Sequence, residues 1–267
     1  MLKKELIQQQ LSTSYFGQYL YVLPEVDSTN RYARDKAKEG APEGTVILSD
    51  YQTNGKGRKG SSWVSTAGAN VLMSIILRPH LTADAVQNVT LATANIVVNA
   101  LDRFLVLEKC DGIDLHLKWP NDIMVKDRKL AGILIESTVR NKWIDFLVIG
   151  VGINVNQDIN LLPEEVRKRA TSLAAESGRQ FNREKLAAQL ISDFERNFIR
   201  FARTDYGTVI YEWKQRCRHI GKTYMIETPL GNEKGKILDI NENGMLVYES
   251  EKTGDIKKLV SGSILNG

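Results

Sequence analysis

Cysteine is almost missing from this chain. Of 267 residues only Cys110 and Cys217 carry a thiol, far apart and outside any Cys-x-x-Cys spacing. Two such thiols support neither a disulfide framework nor a structural zinc site, and they suit a reducing cytoplasm. Histidine is also scarce: His80, His116 and His219 are scattered, and no convincing Ser-His-Asp or Cys-His set accompanies them, so they read as structural residues. No uninterrupted apolar run reaches the roughly 20 residues of a membrane span, and Met1 to Thr13 lacks a signal-peptide core. A soluble globular protein with no membrane contact is expected. Only 18 residues precede Tyr19, room for one short helix around Leu2 to Leu11 and too little for a three-helix DNA reader. Neither DNA binding nor repressor function is therefore expected. The net charge of +4, from 36 basic and 32 acidic residues, permits a polyanionic partner without requiring one.

One deficit is local. From Tyr51 to Ala83 there is no Asp or Glu, although Gln52-Thr53-Asn54-Gly55-Lys56-Gly57-Arg58-Lys59-Gly60-Ser61-Ser62-Trp63 lies within that stretch. Glycines let backbone N–H groups approach an anion closely, and Lys56, Arg58 and Lys59 supply charge, so the loop looks built to hold phosphate. The alternative is a solvated basic loop. Gly55, Gly57 and Gly60 match G-x-G-x-x-G, yet no helix and no acid about 20 residues further on follow, as a dinucleotide fingerprint requires. Ser61-Ser62 stands where a Walker A loop needs Lys-Ser/Thr.

Along the chain, Tyr19 to Leu23 and Thr45 to Tyr51 read as strands, with Arg31 to Glu39 a helix between them that Gly40 closes. Ser28-Thr29-Asn30 precedes that helix either as an N-cap worth about 1 kcal/mol or as polar side chains for a ligand head. Val71 to Leu77 is a buried strand and Ala83 to Phe104 a scaffold helix. Leu115 to Trp119 alternates, with His116 and Lys118 on the face opposite the leucines. After the Pro120-Asn121-Asp122 break, Ile123 to Val125 and Lys129 to Glu136 form a hairpin. Trp143 to Val155 is a strand whose Gly150 and Gly152 mark a bulge or a ligand's close approach. Pro163 to Ser177, Arg183 to Arg203 and Asp205 to Arg216 read as helices. Four short strands after Cys217 indicate a small appended β-barrel. The expected divisions are 1–18, an extension; 19–217, a catalytic domain; and 218–267, the barrel.

Asp27-Ser28-Thr29-Asn30, the glycine loop ending at Trp63, Lys118-Trp119-Pro120-Asn121-Asp122, Lys129-Leu130-Ala131-Gly132-Ile133-Leu134-Ile135-Glu136 and Gly150-Val151-Gly152-Ile153-Asn154 occur together and in order. That ordered set resembles bacterial biotin protein ligase, from about Tyr19 to the C-terminus. The resemblance implies an α+β fold, with a mixed β-sheet flanked by helices in a class II synthetase-like catalytic domain and a C-terminal SH3-like β-barrel. It also implies a two-step reaction: biotin and ATP, with Mg²⁺, give biotinoyl-5′-AMP, and a lysine of a biotin carboxyl carrier protein then takes the biotin. A homodimer is left open.

Two like charges about 4 Å apart cost roughly 4 kcal/mol at an effective dielectric of 20, so the first step needs converging cations. Lys129, Lys118 and Arg58 are the catalytic candidates. The resemblance assigns Ser28, Thr29, Asn30, Gln52, Lys56, Gly57, Arg58, Lys129, Gly132 and Leu134 to biotin. It assigns Gly55, Lys56, Gly57, Arg58, Trp63 and Asn154 to ATP, Trp63 over the adenine. Asp122 is read either as a metal ligand or as a turn former, which leaves the metal ligands unknown. Family loops commonly carry Arg at Lys56 and Lys59 and a basic residue at Ser61, so fewer bidentate donors hold the adenylate here. The rival readings are a lipoate ligase or octanoyl transferase and a nucleic-acid-binding module.

Overall fold

A computed structural model describes residues 1–201 and 206–265. In chain order, α1 (Lys4–Gln8) and β1 (Leu20–Leu23) lead to α2 (Thr29–Lys38), β2 (Val46–Ser49), β3 (Val71–Leu77) and α3 (Val86–Leu107). Next come β4 (Leu115–Lys118), β5 (Asp122–Val125), β6 (Arg128–Arg140) and β7 (Trp143–Ile153). Two short helices, α4 (Glu164–Arg167) and α5 (Leu173–Ser177), precede α6 (Arg183–Phe201) and α7 (Tyr206–Gln215). Five strands close the chain: β8 (Thr223–Thr228), β9 (Gly231–Ile240), β10 (Leu246–Ser250), β11 (Ile256–Leu259) and β12 (Ser263–Leu265).

Strands β1 to β7 form one mixed sheet in the order β1-β2-β3-β7-β6-β5-β4, parallel only between β1 and β2. Every residue of β3 is buried, as a run that is apolar but for Ser74 leads one to expect of a strand covered on both faces. One face carries α3, α6 and α7, whose Leu101, Phe104, Leu190 and Trp213 meet Ile75, Ile133 and Ile149 in the principal core. Residues from the N-terminal stretch belong to this core: Leu2, Ile7 and Phe16 are buried in it. Glu195 anchors the same stretch, accepting backbone N–H bonds from Ser14, Tyr15 and Phe16 at 2.7–2.8 Å. The other face carries α2, with Ala33 and Ala37 against Ile47, Ile76 and Val148. By length and composition α3 with its preceding turn matches a membrane span, which the search for uninterrupted runs does not anticipate. Yet 78% of its most apolar window is buried inside the protein.

Strands β8 to β12 form a second, antiparallel sheet in the order β11-β10-β9-β8-β12. Five strands are present rather than four. Among the described residues β11 and β12 do not pair, so the sheet is barrel-like but open. Its β9–β10 turn docks on the first sheet, where Trp119 Nε1 donates to the Gly244 carbonyl at 3.0 Å.

Two local expectations are corrected and one is extended. Pro163 to Ser177 does not form one helix: residues 169–171 leave helical geometry to pair with the start of β6, Lys129 N–H donating to Arg169 O at 2.7 Å and Thr171 N–H to Lys129 O at 2.9 Å. Sheet pairing beats helix propensity there because both partners are otherwise unsatisfied. His116 and Lys118 do lie opposite the leucines of β4, and that face is covered as well, since all four residues of the strand are buried. Ser28 precedes α2 without any side-chain capping bond, which removes the N-cap explanation for it. The expected helix ends at Arg203 and Asp205 lie outside the described residues.

Candidate active site

The floor of the site is two rungs of the first sheet. One runs Ser74–Gly150–Leu134 across β3, β7 and β6, and the other runs Leu72–Gly152–Gly132–Asp122–Lys118 across β3, β7, β6, β5 and β4. Alternate residues of a strand share a face, so both rungs face the same side. Three of their positions are glycine, which leaves a hollow. The hollow is filled from above: a Cβ on Gly150 would lie 2.2 Å from Asn30 Oδ1, and one on Gly152 2.7 Å from the Trp63 ring.

Regular pairing would turn Lys129 toward the core with Ala131 and Ile133. A β-bulge prevents this, because Ile123 pairs with Ala131 whereas Met124 pairs with Lys129. Leu130 is the extra residue, and it and Ala131 are both fully buried in the core. The displaced register brings Lys129 to the hollow's face, a recognised use of bulges. Its Nζ lies 2.6 Å from Asp122 Oδ1 and 5.6 Å from the Trp63 ring centroid.

At one end of the hollow lies a polar network. Gln52 Oε1 accepts from the Thr29 backbone N–H at 2.7 Å and from Thr29 Oγ1 at 2.9 Å. Ser74 Oγ lies 2.8 Å from Thr29 Oγ1 and 2.7 Å from Asn30 Oδ1. Ser28, Thr29 and Asn30 are all buried, which polar groups tolerate only when paired. At the opposite end Asn154 Nδ2 donates to Thr171 O at 2.9 Å. Asn154 Oδ1 and Trp63 Nε1 are buried there without a partner. One buried acceptor and one buried donor left unpaired in the lining of one cleft suit a ligand with both functions.

The glycine loop covers the cleft as a closed hairpin. Gly57 N–H donates to Ser61 O at 2.7 Å and Trp63 N–H to Gly55 O at 2.9 Å, so these amides are spent within the loop. Its side-chain cations carry the anion site instead. Lys59 takes a left-handed conformation, φ 52°, before Gly60 at φ 78°. Arg58 reaches across to the second sheet, its Nη1 donating to Gly262 O at 3.1 Å, while Lys59 Nζ lies 3.3 Å from Glu227.

Burial lowers the pKa of Arg58, opposed by the nearby Asp122 and Glu227 carboxylates. Burial likewise lowers that of Lys118, opposed by Asp122 and reinforced by Lys129 and Arg169. Arg58, Lys118 and Lys129 thus crowd around Asp122, and cations that outnumber their nearest carboxylate favour an added anion.

These side chains surround a cleft of about 700 Å³, within the usual range for small-molecule sites. Ser28, Thr29, Asn30, Gln52, Lys56, Gly57, Arg58, Trp63, Lys118, Lys129, Gly132, Leu134 and Asn154 all line it. Gly55 does not; it lines a smaller groove on the outer side of the loop and lets Trp63 approach closely. Sequence reasoning missed Arg169, which lines the cleft from the segment paired with Lys129. It also missed Glu227 and Ser263 to Leu265 of the second sheet. In sequence Arg169 is one cation of an exposed basic helix end, and only its β-bridge brings it to the site.

The model of the biotin/lipoate A/B protein ligase family matches residues 22–154. The bifunctional ligase/repressor BirA of Bacillus subtilis is 34% identical over 254 residues, 95% of this chain and 76% of that protein. The biotin–[acetyl-CoA-carboxylase] ligase of Mycobacterium tuberculosis is 31% identical over 233 residues, 86% and 83% of the two chains. Among solved structures, the biotin protein ligase of Aquifex aeolicus in complex with biotin and ATP superposes with a TM-score of 0.77 at 27% identity, covering 94% of this chain and 100% of that one.

Proposed function

This chain belongs to the biotin/lipoate A/B protein ligase family, and from that premise we infer that it is a biotin protein ligase. It joins biotin to ATP as biotinoyl-5′-AMP, then transfers biotin to a lysine of the carrier protein of acetyl-CoA carboxylase. The observation that carries this reading is the convergence of Arg58, Lys118 and Lys129, from three separate segments, around Asp122 in a cleft that also holds a small polar network.

In the first step a biotin carboxylate oxygen attacks the α-phosphorus, and the bond to the leaving pyrophosphate breaks. Lys129 exchanges Asp122 for the carboxylate and α-phosphate oxygens, while Arg58 and Lys118 offset the charge that builds up between them. The second step forms an amide between the carrier lysine nitrogen and the biotin carbonyl carbon. AMP departs as the amine loses its proton. Ser28, Thr29 and Gln52 hold the ureido ring, Gly132 and Leu134 bound the apolar part, and Trp63 and Asn154 take the adenine. The loop shields the anhydride from water.

Asp122 would hold Mg²⁺ arriving with the nucleotide, where the ion would lower the charge of the phosphates. The donor set fits that mode: no group of three or more His, Cys, Asp or Glu side chains is assembled among the described residues, and Asp122 offers one carboxylate, as sites that use few protein ligands do. The 218–267 unit reads as an SH3-like barrel left open at one edge, and 19–217 as the class II synthetase-like catalytic domain. Biotin-dependent ATP–pyrophosphate exchange tests the whole reading. Exchange that needs lipoate instead of biotin points to the rival acyl ligase, and none with either acid overturns the assignment.

A further inference from the structure

The Lys129-to-Glu136 motif contains one charged residue that the reaction above leaves unused. Glu136 lies two positions beyond Leu134 on the same face of β6, outside the main cleft. Asn30 Nδ2 donates to its Oε2 at 2.8 Å, and Arg34 Nη1 lies 3.6 Å from its Oε1. A carboxylate only accepts, so the Asn30 nitrogen must face Glu136. The second amide proton goes to Leu134 O at 3.2 Å, and Oδ1 is thereby turned toward Ser74 Oγ at 2.7 Å. The single Ser74 proton is then committed to Asn30. The Thr29 hydroxyl then shares its own proton between Ser74 Oγ, 2.8 Å away, and Gln52 Oε1, and Thr29 Oγ1 keeps its lone pairs. Gln52 Oε1 is held by Thr29 N–H and Oγ1, which leaves the Gln52 N–H groups as its remaining offer.

We propose that Glu136 is a positioning residue that sets the donor and acceptor polarity of the ring-binding end. By fixing the Asn30 amide it makes the Thr29 side present hydroxyl lone pairs, beside the Gln52 N–H groups that the Thr29 backbone orients. A cyclic urea, with N–H flanking C=O, matches that pattern, and a ring with a donor in place of the carbonyl oxygen does not. The proposal rests on the biotin reading and adds the source of its selectivity.

The test is steady-state exchange with biotin and with 2-iminobiotin, whose carbonyl oxygen is replaced by an N–H group. Glu136→Gln lets either end of the Asn30 amide face position 136. Its expected effect is a rise of about tenfold in KM for biotin and a fall of about tenfold in discrimination against the imino analogue. KM for ATP and kcat stay within about twofold of wild type. Glu136→Asp, which keeps the carboxylate, retains wild-type discrimination. Ser74→Ala breaks the relay without touching the ion pair and is expected to lose discrimination in the same way; it serves as the second variant should Glu136→Gln fail to fold. Unchanged discrimination in either folded variant overturns the proposal, as does a loss shared equally by biotin and ATP. Wild-type protein that shows no exchange with biotin overturns the parent reading, a result separate from both.

Discussion

Lys129 carries the largest predicted effect of any single side chain. Lys129→Ala removes a cation aimed at developing charge, and such losses cost on the order of 10²–10³ in rate. Exchange should fall by that factor while the melting temperature stays close to wild type; a folded variant with near-normal exchange removes Lys129 from its role. The glycines of the floor separate the two substrates. Gly150→Ala drives a methyl group into Asn30 and should raise KM for biotin, whereas Gly152→Ala drives one into the Trp63 ring and should raise KM for ATP. Each shift is expected at about tenfold, read from initial rates with one substrate saturating. Equal effects on both substrates from either variant would contradict the division of the cleft. Sequence made several of these positions legible. An acid-free loop with cations asks for an anion, and glycine inside a strand asks for a close neighbour. It gave no sign that Ser28 is uncapped, since N-cap and ligand-binding serines occupy the same place before a helix.

Among the elements, what escaped the sequence is tertiary pairing. The bulge at Leu130 turns Lys129 to the cleft, and simple alternation along β6 puts it on the wrong face. The break between α4 and α5 follows from the bridge between Lys129 and Ala170, a contact across about 40 residues of chain that no local periodicity reports. Thr171→Pro tests its importance by deleting the N–H that donates to Lys129 O. Adenylate formation should drop by at least tenfold, measured by exchange at saturating substrates; unchanged rates would show that the bulge alone positions Lys129. The long elements α3, α6, β3 and β7 were legible because each carries a sustained pattern, whereas the alternation of β4 gave no sign that both of its faces are covered.

For the molecule as a whole, the second sheet contributes to the lining of the site, and a titratable histidine sits where it joins the first. His219 lies at the seam between the sheets, its pKa pushed down to about 4 by burial, then by Lys118 and His116. Between that value and the ordinary 6.5 the unfolded chain binds a proton that the folded chain does not. Stability therefore rises with pH across this window and is lost on acidification, with a slope of at most about 1.4 kcal/mol per pH unit for one such group. Glu233 in the second sheet adds a loss at lower pH. Hydrogen bonds from Lys257 and Ser250 hold its pKa down to about 2, so its contribution is complete above about 4.5 and disappears as pH falls toward 2. Melting temperatures between pH 4 and 7 should flatten in His219→Gln, and those between pH 2 and 4.5 in Glu233→Gln. A His219→Gln curve parallel to wild type would assign the acid sensitivity to other groups. The Lys59–Glu227 pair is partly exposed, so Glu227→Ala should move the melting temperature little while weakening ATP binding severalfold through the loop.

The account stands most directly on isotope exchange between ATP and pyrophosphate, measured on the wild-type chain with biotin, with lipoate and with neither. Exchange that needs biotin and disappears in Lys129→Ala is the predicted result. Exchange that ignores biotin, or survives intact in folded Lys129→Ala protein, contradicts the claim that gathered cations bring an acid to the nucleotide.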